Sequence, residues 1–150
     1  MEITPKISKL VYDLSSGDDK ISNVLLLNYH NTLVSSHGLA YTYLTGLYEN
    51  FQGDNSKPCI NDWKELDYMN YGEEIQKITT ARFLLMENVE NYRHTYPKFA
   101  YLLEKENIKS AVFCPIIGVD SSVGMIVVLY REPITEKSKD YLKIKIGPIA

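Results

Sequence analysis

The stretch Lys109–Arg131, KSAVFCPIIGVDSSVGMIVVLYR, constrains the fold more than any other part of this chain. Two apolar runs, Ala111–Ile117 and Met125–Tyr130, flank a polar turn at Asp120–Ser121–Ser122. Both runs are rich in β-branched and aromatic residues, so the segment reads as a β-hairpin. Neither run alternates polar with apolar, and Met125, Ile126, Val127, Val128 and Leu129 follow one another directly. Such a strand has to be covered on both faces. Burying those five side chains contributes roughly 8–15 kcal/mol. Ordering the backbone costs about 1–2 kcal/mol per residue, so one covered face leaves little surplus. The rest of the chain is expected to supply helices for two faces of a sheet centred here.

The 150 residues fit one domain, 1–150, with enough chain to bury its own core. A net charge of −3 gives no basic footprint for nucleic acid or an anionic membrane. The apolar runs fall far short of the roughly 20 residues of a membrane helix, and MEITPKISKL lacks the form of a signal peptide. Two cysteines, Cys59 and Cys114, are too few for a disulfide framework, so reduced thiols in a cytoplasmic setting are expected. Twelve tyrosines stand out; their apolar rings and polar tips suit core edges and pocket walls alike.

In chain order, Thr4-Pro5 opens a helix carrying Ile7, Leu10, Val11 and Leu14, and Ser15-Ser16-Gly17 ends it. From Ile21, the positions Val24, Leu25, Leu27, Leu33 and Val34 suit a second helix to about Ser35, although Val24–Leu27 alone reads equally as a strand. Ser36-His37-Gly38 is a stop. Ala40–Phe51 reads as a strand, with Gly46 marking a bulge or a close backbone approach. A polar turn follows at Asp54–Pro58. Residues 59–69 fit either a strand or a loop over the sheet. A short amphipathic helix is predicted from Glu73 through Ile75 and Ile78 to Arg82. Phe83–Met86 reads as a strand, Glu87–Thr95 as a polar stretch, and Pro97 opens a helix whose inward face is Phe99, Leu102 and Leu103. After the hairpin, Pro133 and Thr135 announce a last helix with Tyr141, Leu142 and Ile144 as apolar positions.

From Phe83 to Leu142 this order resembles the GAF domain. An apolar strand, a polar loop and a short helix precede Ile108-Lys109-Ser110-Ala111-Val112. That segment runs into a strand ending at Cys114-Pro115-Ile116, and the next strand opens with Gly, as in Val123-Gly124-Met125-Ile126-Val127-Val128. The resemblance implies an α+β sandwich, with an antiparallel sheet of about five or six strands and helices on both faces. It also implies a small-molecule pocket between one sheet face and the loops above it, and dimers formed through the terminal helices.

Little in the residues points to catalysis. Free methionine-(R)-sulfoxide reductases share the fold, but SAVFCPI does not match their segment, and Cys114 lies in an apolar run unsuited to a thiolate. Cys59 beside Pro58 is expected to be the more exposed thiol. His30, His37 and His94 lack metal-ligand spacing. The carboxylates Glu87 and Glu90, and the group Asp62, Glu65 and Asp67, are expected to be solvated. The Asn-Lys-Phe-Asp-Glu set of cyclic-nucleotide-binding GAF domains and the Cys-His pair of bilin-attaching ones are both absent. The sequence reading is therefore a non-catalytic regulatory or sensor domain binding a small molecule, with no cofactor named. Its pocket would be lined by Tyr41, Tyr43, Trp63, Tyr68, Arg93, His94, Tyr96 and Phe113. One rival is a homodimeric structural or protein-interaction domain with a filled pocket; another is a thiol-dependent reductase. Large side chains packed into the cavity would favour the first rival, and convergent Arg93, His94 and tyrosine hydroxyls would favour ligand binding.

Overall fold

Every strand of the computed structural model joins one antiparallel sheet in the order β3-β2-β1-β6-β5-β4. The structure describes residues 5–34, 40–52, 57–64, 66–117 and 122–146, and not the side chains of 5–6, 30–34, 40–43, 68, 117 and 122–123. The elements are α1 (Pro5–Ser16), β1 (Asn23–Val34), β2 (Ala40–Phe51), a 3₁₀ turn (Ile60–Trp63), β3 (Leu66–Asp67), α2 (Tyr68–Ala81) and β4 (Leu84–Met86). A second 3₁₀ turn (Val89–Tyr92), α3 (Pro97–Lys105), β5 (Ser110–Ile117), β6 (Ser122–Tyr130) and α4 (Glu136–Ile146) follow.

The hairpin forms as its composition requires, with Phe113 opposite Val127 and Cys114 opposite Ile126. Its two faces enter two separate core layers. Met125, Val127 and Leu129 join Leu25, Leu27, Ala111 and Phe113 beneath α2, α3 and the first 3₁₀ turn. Ile126, Val128 and Tyr130 join Val24, Leu26, Val112 and Cys114 beneath Val11 and Leu14 of α1 and Leu142 and Ile146 of α4. Pro115 is tolerated because β4 pairs only with residues 111–113, so its missing N–H costs no ladder bond there.

Two sequence expectations need correction, and a third region, 59–69, read as strand or loop, contains both. Residues 23–34 form strand β1, not a helix, because this segment pairs with β2 on one side and β6 on the other, and Val24–Leu27 bury alternately into the two layers. Apolar residues at mixed spacing satisfy either period, and the sheet decides between them. Helix α2 starts at Tyr68, five residues before Glu73, because the Asp67 carboxylate accepts the Asn70 backbone N–H at 2.7 Å and caps it there. Residues 59–69 supply both a 3₁₀ turn and the short edge strand β3. Gly46 fulfils both of its expected roles. The β1–β2 register shifts beside it, and a Cβ at that position would lie 2.5 Å from Ile60 Cγ1. The stop at residues 36–38 and the turn residues 54–56, 120 and 121 lie outside the described residues.

Candidate functional site

The layer between the sheet and α2/α3 is built from aromatic rings carried on four different elements. Trp63 ends the first 3₁₀ turn and stacks on Phe99 of α3, with ring centroids 5.6 Å apart and planes 18° off parallel. Phe113 of β5 packs against both, 6.2 Å from Trp63 and 5.3 Å from Phe99. Tyr71 of α2 closes on Phe99 at 5.6 Å. Trp63 is 1% exposed and Phe99 and Phe113 are fully buried. Tilted and offset rings at these separations attract one another beyond the area they bury.

Helix α3 has no cap from its own N-terminal residue. The buried carboxylate of Glu74, on α2, accepts the backbone N–H groups of Lys98 and Phe99, each at 3.0 Å. A carboxylate at a helix N-terminus satisfies otherwise unpaired donors and complements the helix dipole. This bond locks α2 to α3 above the ring stack and holds Phe99 over the sheet.

Of the eight residues expected to line a pocket, Trp63 and Phe113 meet directly inside the stack, and neither presents a free face. Tyr96 is buried nearby at the N-terminus of α3, 6.2 Å from the Tyr92 ring, with Lys77 Nζ 5.7 Å from its centroid. Burial pushes the Tyr96 hydroxyl above its ordinary range. Arg93 and His94 are exposed on the polar stretch. Arg93 does not turn toward the rings; it donates to both oxygens of Glu104, at 2.7 and 3.0 Å. Those hydrogen bonds raise the arginine's pKa and lower the carboxylate's. Tyr41 and Tyr43 belong to β2 and Tyr68 opens α2, but their side chains lie outside the described residues. The sequence reading missed Phe99, Tyr71 and Glu74 as members of this layer. Phe99 was visible as the inward face of a helix, whereas no sequence pattern links Glu74 to a helix 24 residues away.

Both thiols are shut away. Cys114 is fully buried among aliphatic side chains, and burial alone raises its pKa to about 11. Cys59 is 1% exposed, contrary to the exposure expected beside Pro58. The Glu49 carboxylate accepts the Cys59 N–H at 2.7 Å and draws this segment inward over β2. Burial, with Glu106 nearby, pushes the Cys59 thiol up to about 12, although Arg131 opposes the shift.

Of the acids singled out from the sequence, Glu65 lies outside the described residues and the others make local bonds. Asp67 caps α2, Glu87 pairs with Lys139, and Glu90 accepts from Asn88 at 3.2 Å. Asp62 is held low first by a hydrogen bond from Glu106 and then by Lys105 at 3.1 Å, while the same bond raises Glu106. Among the described residues no group of three or more His, Cys, Asp or Glu side chains is placed to hold a metal ion, and no helix is long and apolar enough to cross a membrane.

No family model matches the sequence, and no curated protein matches it. The structure, however, resembles solved domains along nearly its full length. A GAF domain from Synechocystis sp. PCC6803, in its photoproduct state, superposes with a TM-score of 0.62 at 12% identity, over 95% of this chain and 89% of that one. The chain has the GAF fold. The phycocyanobilin-bound GAF domain of a cyanobacterial phytochrome gives 0.59 at 12% identity, covering 96% of this chain and 85% of that one. A GAF domain/HD domain protein from Geobacter sulfurreducens gives 0.57 at 10% identity, covering 94% and 87%. In this GAF fold the Trp63–Phe99–Phe113 stack occupies the layer between the sheet and the helices α2 and α3.

Proposed function

We propose that this chain is a regulatory GAF module that performs no catalysis and acts through protein contacts, its sheet–helix layer occupied by its own side chains. The carrying observation is the stack of Trp63, Phe99 and Phe113, with fully buried rings where the sequence reading looked for open pocket walls. The protonated, buried state of both thiols argues in the same direction, since a reductase of the thiol type needs an accessible thiolate. The partner in this reading is a second copy meeting through α1 and α4, whose outward sides carry the exposed Tyr12 and Ile144. Light scattering tests that part: a dimer mass at tens of micromolar is expected, and a monomer mass overturns it.

A second reading, a small-molecule sensor, draws on the phycocyanobilin-bound GAF domain among the structural neighbours. Its remaining candidate wall is Tyr41, Tyr43 and Tyr68. Native mass spectrometry of the purified chain, before and after denaturation, separates the two readings. The filled-layer reading expects the bare chain mass in both spectra and no thermal shift with a metabolite panel. A retained ligand released on denaturation would overturn it in favour of the sensor.

A further inference from the structure

Away from the ring stack, a cleft of about 530 Å³ opens at the C-terminal end of α3, lined by Lys57, Lys105, Glu106, Asn107, Lys109 and Arg131. The four cations come from separate places: the segment before the first 3₁₀ turn, the last turn of α3, the approach to β5 and the residue after β6. They converge because Asn107 adopts a left-handed backbone, φ 59°, that turns the chain sharply out of α3, and because the Lys109 N–H bonds to Tyr130 O at 2.8 Å. Arg131 then spans the gap, donating to Ser22 Oγ at 3.0 Å, to Glu106 O and to Lys57 O at 3.4 Å. All three acceptors are neutral.

Only Lys105 has an ion-pair partner, Asp62; Lys57, Lys109 and Arg131 have none among the described residues. Glu106 is the one acid in the lining, and its hydrogen bond with Asp62 pushes its pKa upward. Three cations without an ion pair around one concavity, against a single acid in its lining, repel one another unless a further anion lies between them. This concentration sits on a chain whose net charge is −3.

We infer that this cleft binds a small, multiply charged phosphate compound. The volume falls within the range of small-molecule sites. The donor set selects phosphate over carboxylate: Arg131 already commits its planar fork to backbone and hydroxyl oxygens, which leaves lysine ammonium groups as point-charge donors. Such groups serve phosphate oxygens without the two-pronged geometry in which arginine grips a carboxylate. The negative overall charge supplies no long-range field for a nucleic-acid polymer, so the ligand is small.

The test is titration calorimetry and thermal unfolding of the full chain with inorganic pyrophosphate, against citrate and sodium chloride at matched ionic strength. Saturable pyrophosphate binding with a raised Tm is expected, with a weaker effect from citrate and none from chloride. The double variant Lys57→Gln/Lys109→Gln should bind at least about tenfold more weakly while keeping the wild-type circular dichroism, since neither ammonium group holds the fold together. Lys137→Gln/Lys143→Gln, two exposed lysines on α4, serves as the control and should bind normally. No saturable binding, equal effects of citrate and pyrophosphate, or undiminished binding by the first double variant would each overturn the assignment.

Discussion

The two faces of the sheet bury alternate residues of the same strands but are covered in different ways. Beneath α1 and α4 the contacts are mainly aliphatic, Val11, Leu14, Leu142 and Ile146 against Val24, Leu26, Ile126 and Val128, with Tyr130 the one fully buried ring among them. Beneath α2, α3 and the 3₁₀ turns the cover includes a cluster of stacked rings centred on Phe99, and its largest ring, Trp63, comes from an irregular connection rather than a helix. The mainly aliphatic face is closed by the helices α1 and α4 laid across the strands. Tyr141 reinforces it, donating to Leu14 O at 2.8 Å. The aromatic face is closed by side chains that reach in from turns and depend on polar bonds to stay there. The difference teaches that one face is scaffold, while the other is a space this chain has filled for itself.

Removing the filling should produce the largest effect. Trp63→Ala is expected to cost about 3–5 kcal/mol in urea unfolding and to leave a cavity that takes up indole, recovering part of the lost Tm. Leu142→Ala on the opposite face should also destabilise, but indole should restore nothing, because an aliphatic gap beneath α4 has no ring-shaped site. Equal indole rescue of both variants would erase the distinction between the faces.

The polar bonds come next. Glu74→Ala removes the carboxylate holding two N–H groups of α3 and should cost about 2–3 kcal/mol. Amide hydrogen exchange should rise in 97–105 and not in α4. Uniform loosening of both helices would show that Glu74 is not specific to the aromatic face.

The thiols report on both layers at once, with Cys59 under the first and Cys114 under the second. Each has its folded pKa raised, so the neutral thiol contributes stability in full below its ordinary value of 9.0. That contribution is lost as pH climbs through about 11 for Cys114 and about 12 for Cys59. Stability should therefore be flat from neutral pH to about 9 on this account and decline above it, and Ellman's reagent at pH 8 should react with neither thiol until urea unfolds the chain. Rapid labelling of native Cys59 would mean that its face is open. The smallest effect belongs to Arg93→Ala. Its ion pair with Glu104 is exposed and screened by solvent, so no measurable change in Tm is expected.

How far the sequence could be read follows the same division. The hairpin was legible because five consecutive apolar residues admit no one-sided strand, and the two-layer prediction came directly from them. Strand β1 was not, because its apolar positions fit a helical period and only pairing with β2 and β6 decides against it. The aromatic site was half legible. Trp63 and Phe113 were singled out, but as pocket walls, since nothing local reveals that they meet each other and that Phe99 packs against both. Cys59 was misplaced because Pro58 suggests a surface turn, while the bond from Glu49 that buries it joins residues ten positions apart.

The central claim is that the layer beneath α2 and α3 is closed, and Trp63, the only tryptophan in the chain, reports on it directly. The decisive measurement is its fluorescence in the native protein, with acrylamide as quencher and a metabolite panel as challenge. The account predicts a blue-shifted emission that acrylamide barely quenches and no metabolite alters. A red-shifted emission open to quencher, or one shifted by a bound metabolite, would contradict it.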